Sequence, residues 1–190
     1  MTTHQVGYLI GSLATASINR KLAKALVRMA PASLKMKEIP IRDLPLYSYD
    51  FDADYPEVAK TFKKSIEDSD AILFVTPEYN RGIPGGLKNA IDWASRPYGK
   101  NVFTRKPTAV IGTSPGKIGT AIAQRNLHSI LDYCDSPQLM APEPYIQFTK
   151  DLIDDEGQVN DEKTRAFLGK FMNAFLAFVA HHATELRKSA

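Results

Sequence analysis

The sequence is poor in cysteine, in histidine and in long apolar runs, and each shortage narrows what it can encode. The one cysteine, Cys134, cannot form a disulfide within the chain, which favours a reducing compartment. The four histidines are scattered and form no Cys/His cluster, so no metal site is predicted. The apolar runs fall far short of the roughly 20 residues that span a bilayer, and residues 5–10 are too few for a signal peptide. We therefore expect a cytoplasmic protein without a membrane partner.

The sequence also lacks a strong excess of either charge, since 24 basic and 21 acidic residues leave a net charge of +3. This balance argues against nucleic acid as a partner, because nucleic-acid-binding proteins carry a concentrated basic surface. The 190 residues suffice for one domain with a substantial core, and no linker or repeat divides them. We predict a single domain over residues 1–190.

Short apolar runs alternate with segments of helical periodicity along the whole chain. Strands are predicted at residues 6–10, 36–39, 71–76, 108–113 and 138–141. Helices are predicted at residues 18–29, 87–94, 118–133 and 164–186, and a further one starts at Pro56 and buries Val58, Phe62 and Ile66. This alternation predicts an α/β fold, with a doubly wound parallel sheet of five strands in the order 2-1-3-4-5 and helices on both faces. Such sheets bind ligands at the carboxyl ends of the strands where the order reverses.

The loop after the first predicted strand is rich in side chains that can donate hydrogen bonds: Ser12, Thr15, Ser17 and Asn19. It leads into a helix at Ile18, and the unpaired N–H groups and the dipole of a helix N-terminus attract anions. The loop lacks the glycine fingerprints for a pyrophosphate or a triphosphate, so a monophosphate fits better than NAD or ATP as the resident ligand. The alternative is that Ser17 or Asn19 merely caps the helix.

Two further loops are predicted to meet the first one. Residues 76–89 hold two prolines and three glycines, which fix an unusual backbone path, and Tyr79 is available as a wall. Exposed backbone amides there can meet the polar edge of a flat heterocycle, although a rigid surface turn is the alternative. The third loop is residues 112–119, where Ser114 and Gly116 are small enough for the backbone to approach the same ligand closely from its other side.

Residues 77–80 (Pro-Glu-Tyr-Asn) and 84–93 (Pro-Gly-Gly-Leu-Lys-Asn-Ala-Ile-Asp-Trp) resemble the signature of the NADPH-dependent FMN reductase family. Within the family, the chain is most similar to the chromate/quinone reductase branch, and the resemblance runs from about residue 5 to 145. It implies a flavodoxin-like fold, FMN as the cofactor and NADPH or NADH as the co-substrate. It also implies a homodimer or homotetramer in which a neighbour closes the flavin pocket.

The resemblance further implies roles for individual residues. The phosphate of FMN would be held by Ser12, Ser17 and Asn19, and the ring would be lined, largely through backbone groups, by Pro77, Glu78, Tyr79 and Asn80. Arg81 would attract the phosphates of NADPH. The family often has an arginine where this chain has Ala14, so one counter-charge of the phosphate is missing.

The implied reaction passes a hydride from NAD(P)H through flavin N5 to quinones, with chromate, azo compounds and free flavin as further acceptors. Nicotinamide and acceptor would use the same exposed face in turn, which predicts ping-pong kinetics. The cofactor supplies the chemistry, so no catalytic side chain is expected.

Three alternatives remain open. The third loop also fits the G-x-S-x-G motif of α/β-hydrolases, with Ser114 as nucleophile, but Pro115 lacks the N–H that an oxyanion hole needs there. A flavodoxin-type electron carrier without its own NAD(P)H activity would use the same fold, although such carriers are usually strongly acidic. A bare phospho-ligand binding module would be colourless when purified.

Overall fold

A computed structural model describes residues 2–188, with side chains through residue 183, and in this range the chain forms six strands and five α-helices. The strands are β1 (His4–Ile10), β2 (Leu34–Glu38), β3 (Ala71–Val75), β4 (Thr108–Ser114), β5 (Gln138–Leu139) and β6 (Tyr145–Gln147). The helices are α1 (Ile18–Met29), α2 (Glu57–Glu67), α3 (Gly85–Ser95), α4 (Ala121–Tyr133) and α5 (Glu162–Lys188). Of the predicted span 1–190, residues 1, 189 and 190 lie outside the described residues.

The strands pair in parallel in the order β2-β1-β3-β4-β5, which confirms the predicted flavodoxin-like topology. The predicted fifth strand at residues 138–141 is shorter than expected, and β6 continues its position in the sheet. β5 pairs with the start of β4, whereas β6 pairs with Gly112, Thr113 and Ser114 at its end. Pro142 and Pro144 lie between the two pieces, and proline has no N–H for a strand ladder, which explains the break.

Helices cover both faces of the sheet, as predicted. Alternate residues of β3 point into two separate cores, because successive side chains of a strand face opposite sides. Leu73 packs with Leu22 of α1 and Phe171 of α5 on one face, and Phe74 packs with Phe62 of α2 and side chains of α3 and α4 on the other. Among the described residues, no helix is both long and apolar enough to cross a bilayer.

Two helices begin later than predicted. Pro56 is the N-cap of α2 rather than its first residue, and the buried stripe uses Ala59 in place of the exposed Val58. Helix α4 begins at Ala121 instead of residue 118, because Gly119 has a φ of +58°, a left-handed conformation that an α-helix cannot include. That conformation brings Gly119 against the backbone of Ile146, where a Cβ would lie 2.8 Å from the amide nitrogen.

Candidate functional site

Three loops converge at the carboxyl ends of β1, β3 and β4, where the strand order reverses. The first loop touches the start of α3, since a Cβ at Gly86 would lie 3.3 Å from Leu13 Cδ1. It is joined to β4 by Asn19, whose amide donates to Thr113 O at 2.9 Å and accepts from Thr113 N at 3.0 Å. The structure thus brings together the loops that sequence reasoning expected to meet.

The first loop presents an uncapped helix N-terminus. Ser17 is the N-cap residue of α1 and is only 8% exposed, yet its hydroxyl makes no capping hydrogen bond. The capping alternative is therefore wrong for Ser17, and the Asn19 side chain is engaged by β4 instead. Ser12 is buried and accepts a weak bond from Ala14 N at 3.4 Å, which leaves its hydroxyl proton to donate elsewhere. Thr15 is exposed at the loop tip.

The second loop is held against α4 by Glu78. Its side chain is 7% exposed, and one carboxylate oxygen accepts the N–H groups of Ile122 at 3.0 Å and Ala123 at 3.1 Å, in the first turn of α4. The other oxygen pairs with Arg81 at 2.7 Å. A carboxylate at a helix N-terminus is favoured by the helix dipole. The Glu78 side chain therefore fixes the second loop to α4, and the backbone of this loop is not needed for that contact.

The tip of the second loop is a strained tight turn. Tyr79 and Gly82 exchange both backbone hydrogen bonds at 3.0 Å, and the two residues between them, Asn80 and Arg81, have φ angles of 50° and 63°. This is the geometry of a type I′ turn, which asparagine tolerates and arginine rarely adopts. A left-handed conformation costs a residue such as Arg81 roughly 1–2 kcal/mol. Such strain is typical of functional loops.

The third loop is tied internally through Ser114. Its hydroxyl donates to Gly119 O at 2.6 Å and accepts from Gly116 N at 3.2 Å. The hydroxyl proton thus goes to a carbonyl, and the histidine of the next helix, His128, pairs instead with Gln138 at 2.7 Å. Among the described side chains, none that could act as a base hydrogen-bonds to Ser114, which argues against the hydrolase alternative.

A cavity of about 440 Å³ lies between the second and third loops. It is lined by Glu78, Asn80, Arg81, Ser114, Gly116, Lys117, Ile118 and Gly119. Sequence reasoning missed Lys117 and Ile118, although their place in the glycine-rich third loop could have indicated them. A larger cleft of about 1230 Å³ runs along α2 near the start of β1, remote from the carboxyl ends where such sheets bind ligands.

A fourth segment, residues 40–48 after β2, also reaches the site. Pro45 O accepts the side-chain N–H groups of Asn89 at 2.9 Å and Trp93 at 2.7 Å, which pins the segment to α3. Burial and a hydrogen bond to Asp52 raise the pKa of Tyr47 to about 12, so its hydroxyl stays protonated there. From the same segment, the Arg42 guanidinium donates to Leu13 O in the first loop. Sequence reasoning missed Arg42, although β2 neighbours β1 in the predicted order.

A protein-family model described as NADPH-dependent FMN reductase matches residues 4–151. The chain belongs to this family. A 2-hydroxy-1,4-benzoquinone reductase from a Burkholderia species is 48% identical over 175 residues, which cover 92% of this chain and 96% of that protein. A quinone reductase from Pseudomonas putida is 48% identical over 177 residues, covering 93% and 95% of the two chains.

Among solved structures, FerB, a flavoenzyme NAD(P)H:(acceptor) oxidoreductase from Paracoccus denitrificans, superimposes with a TM-score of 0.91. It is 46% identical, and the match covers 95% of this chain and 99% of FerB. The resemblance carried by residues 77–93 is thereby confirmed. The predicted enzyme class, a flavin-dependent oxidoreductase with FMN and NAD(P)H as ligands, is confirmed at the level of the family.

Proposed function

We propose that this chain is an FMN-dependent NAD(P)H:quinone oxidoreductase. The observation that carries the proposal is Ser17, a residue only 8% exposed at the N-terminus of α1, whose hydroxyl caps nothing and is accessible to an anion. Family membership and 48% identity to two quinone reductases support FMN as that anion and a quinone as the acceptor. These residues fit a monophosphate, because hydroxyls and unpaired helix N–H groups bind phosphate without a pyrophosphate fingerprint.

The first loop would hold the phosphate. Ser12, Thr15 and Ser17 offer hydroxyls, and Ile18 and Asn19 offer the backbone N–H groups of the first turn of α1, which lack partners within a helix. The first turn of α1 contains no acidic residue that would repel an anion. Because the Asn19 side chain binds the backbone of β4, its role in the proposal is to position this turn.

The second and third loops would hold the ring. Glu78 and Asn80 line one side of the cavity, and Ser114 and Gly116 bound the other side; Pro77 and Tyr79 belong to the same loop but do not line this cavity. When bound, FMN would supply hydride transfer between NAD(P)H and the acceptor. The residues of this chain bind and orient it: the Glu78 bridge to α4 keeps the second loop rigid, and backbone N–H groups stabilise negative charge on the ring.

The finer points of the proposal concern acceptors and assembly. Chromate, azo compounds and free flavin would be reduced besides quinones, and a face shared by NAD(P)H and acceptor would give ping-pong kinetics. Exposed apolar side chains near the cavity, Tyr79, Ile118 and Ile122, favour a homodimer or homotetramer in which a neighbour covers the site. The one thiol, Cys134, is buried and unpaired, which favours the cytoplasm.

Flavin content and reduction test the proposal. We expect purified protein to be yellow, to release FMN on denaturation and to be bleached within the dead time or the first turnover when mixed anaerobically with NADPH in a stopped-flow instrument. A yellow protein that NADPH does not bleach would favour the electron carrier. Colourless protein that binds no added FMN would instead favour the phospho-ligand module and contradict the proposal.

Arg81 is the proposed contact for the phosphates of NADPH. Its side chain is 67% exposed at the cavity, although one nitrogen pairs with Glu78. We expect Arg81→Ala to raise the KM for NADPH about 5- to 20-fold, the effect of losing one charge-assisted contact, and to leave kcat with saturating NADPH near the wild-type value.

The matched control for Arg81 is Arg165→Ala, which removes another exposed arginine paired with a glutamate three residues away, on α5. It should leave the KM for NADPH unchanged. An unchanged KM in Arg81→Ala itself would remove Arg81 from the proposal.

A further inference from the structure

We propose that Arg42, from the segment after β2, supplies the positive charge that the phosphate loop itself lacks. This inference rests on the proposed function, because it concerns the phosphate of FMN. Residues 11–19 contain no lysine or arginine, yet a phosphate monoester at this loop would carry up to two negative charges. Hydroxyls and amides can bind it there, and a guanidinium would add charge-assisted hydrogen bonds that are about twice as strong as neutral ones.

The position of Arg42 follows from its hydrogen bond to Leu13 O, inside the phosphate loop. Leu13 lies two residues before Thr15 and four before the uncapped Ser17, so the guanidinium sits at the rim of the same loop. A guanidinium has five N–H donors, and the bond to Leu13 uses one of them. The remaining donors and the whole charge stay available to an anion.

The charge of Arg42 is not neutralised by any described carboxylate. Of the eight arginines with described side chains, half form ion pairs, namely Arg20, Arg81, Arg125 and Arg165. Arg42 forms none with the described side chains, although it is held in place by the loop carbonyl. An arginine that is positioned but unpaired beside an anion-binding turn is poised for an anionic ligand.

The cationic side chain that directly follows the loop in sequence is already paired. Arg20 lies in the first turn of α1, directly after the phosphate loop, but both oxygens of Glu38 accept from its Nη1 at 3.0 and 3.1 Å. Lys117 belongs to the third loop and lines the cavity beside Ser114, where the ring of the ligand is proposed to lie. Arg42 is therefore the residue that the geometry assigns to the phosphate.

Hydrogen bonds hold residues 40–48 in place, so the charge of Arg42 has a defined position although it lies on a loop. The backbone of Tyr47 donates to Asn89 Oδ1 at 2.8 Å, and Pro45 O accepts from Asn89 and Trp93 of α3. The segment therefore has fixed contacts on both sides, to α3 and to the phosphate loop. A preorganised donor loses less freedom on binding than a mobile one.

Flavin titration separates this role from a merely structural one. Flavin-depleted wild-type protein and Arg42→Ala are titrated with FMN and with riboflavin, which lacks the phosphate, and quenching of flavin fluorescence gives the Kd of each. We expect Arg42→Ala to raise the Kd of FMN about 10- to 100-fold, as for the loss of a charged hydrogen bond, with the Kd of riboflavin unchanged. Arg42→Lys should recover part of the loss, because it keeps the charge without the planar fork.

The control is Arg28→Ala, which removes one positive charge at the far end of α1, where Arg28 contacts Gln158. It should leave the Kd of FMN unchanged. Equal weakening of FMN and riboflavin binding by Arg42→Ala would overturn the inference and show that Arg42 only supports the loop. Wild-type protein that binds neither flavin would overturn the proposed function as well, whereas an unchanged Kd of FMN in Arg42→Ala would overturn the role of Arg42 alone.

Discussion

Replacing Trp93 by alanine is expected to lower the free energy of unfolding by about 3–5 kcal/mol, the usual cost of emptying a large buried aromatic site. Trp93 is fully buried on α3. Its ring lies with centroids 5.1 Å from Tyr47 and 5.0 Å from Tyr55, both edge-on, and 5.4 Å from Phe51. Its Nε1 donates to Pro45 O at 2.7 Å, so the substitution also leaves that carbonyl with one donor fewer.

The measurement is thermal unfolding followed by far-UV circular dichroism, because the substitution removes the only tryptophan and with it the fluorescence probe. For a chain of this size we expect the Tm to fall by roughly 6–20 °C. Trp93→Phe should lower the free energy of unfolding less than Trp93→Ala, since phenylalanine keeps an aromatic ring in contact with its neighbours. Some loss should remain, because phenylalanine lacks the indole N–H. The control is Tyr98→Ala, an exposed aromatic just beyond α3, which should change stability by less than about 0.5 kcal/mol. A Trp93→Ala variant as stable as this control would contradict the assigned packing.

The substitution at Trp93 also tests how the site is supported. Residues 40–48 contact α3 through Pro45 and Tyr47, and Arg42 of the same segment contacts Leu13 in the first loop. Weaker contacts between residues 40–48 and α3 should therefore weaken FMN binding even at temperatures where the variant is folded. The core and the candidate site are thus connected through one segment that lies in neither a helix nor a strand along most of its length.

The fold could be predicted from the sequence because its strongest elements are locally encoded. Helix α1 begins and ends as predicted, at Ile18 and Met29, since its apolar residues recur at helical spacing after a polar loop. The central strands β3 and β4 are buried on both faces and read as continuous apolar runs. Strand β6 was missed because three residues between prolines and polar side chains carry no periodicity, and only the end of β4 gives them a partner.

The candidate site was predictable in part, for the same physical reason. Its three loops follow strands whose order fixes where they meet, so their polar and glycine-rich residues could be grouped from sequence. The hydrogen bonds among them could not be derived, because they join residues far apart in the chain. Glu78 reaches the start of α4 44 residues away, and Arg42 reaches Leu13 29 residues back. Such contacts depend on the packed sheet rather than on local pattern.

Replacing Gly112 by alanine is expected to cost at least about 3 kcal/mol, because overpacking against backbone leaves no side chain that can move aside. Gly112 lies near the end of β4, where a Cβ would stand 1.9 Å from the carbonyl oxygen of Thr76 and 2.4 Å from Thr120 Oγ1. Relief requires the ends of β3 and β4 to separate. Those ends begin the second and third loops, so the cavity between them would widen and flavin binding would fall together with stability.

The control is Gly85→Ala, the first residue of α3, where a Cβ would meet no atom within 4 Å. Alanine is the better helix former, so this variant should match or exceed wild-type stability by up to about 1 kcal/mol. We expect Gly112→Ala to unfold at least roughly 6–12 °C below wild type and to retain less flavin after purification, whereas the Tm of Gly85→Ala does not fall. Equal melting temperatures for the two variants would show that β3 and β4 can separate at little cost, and the close approach of Gly112 to Thr76 would then have no part in shaping the site.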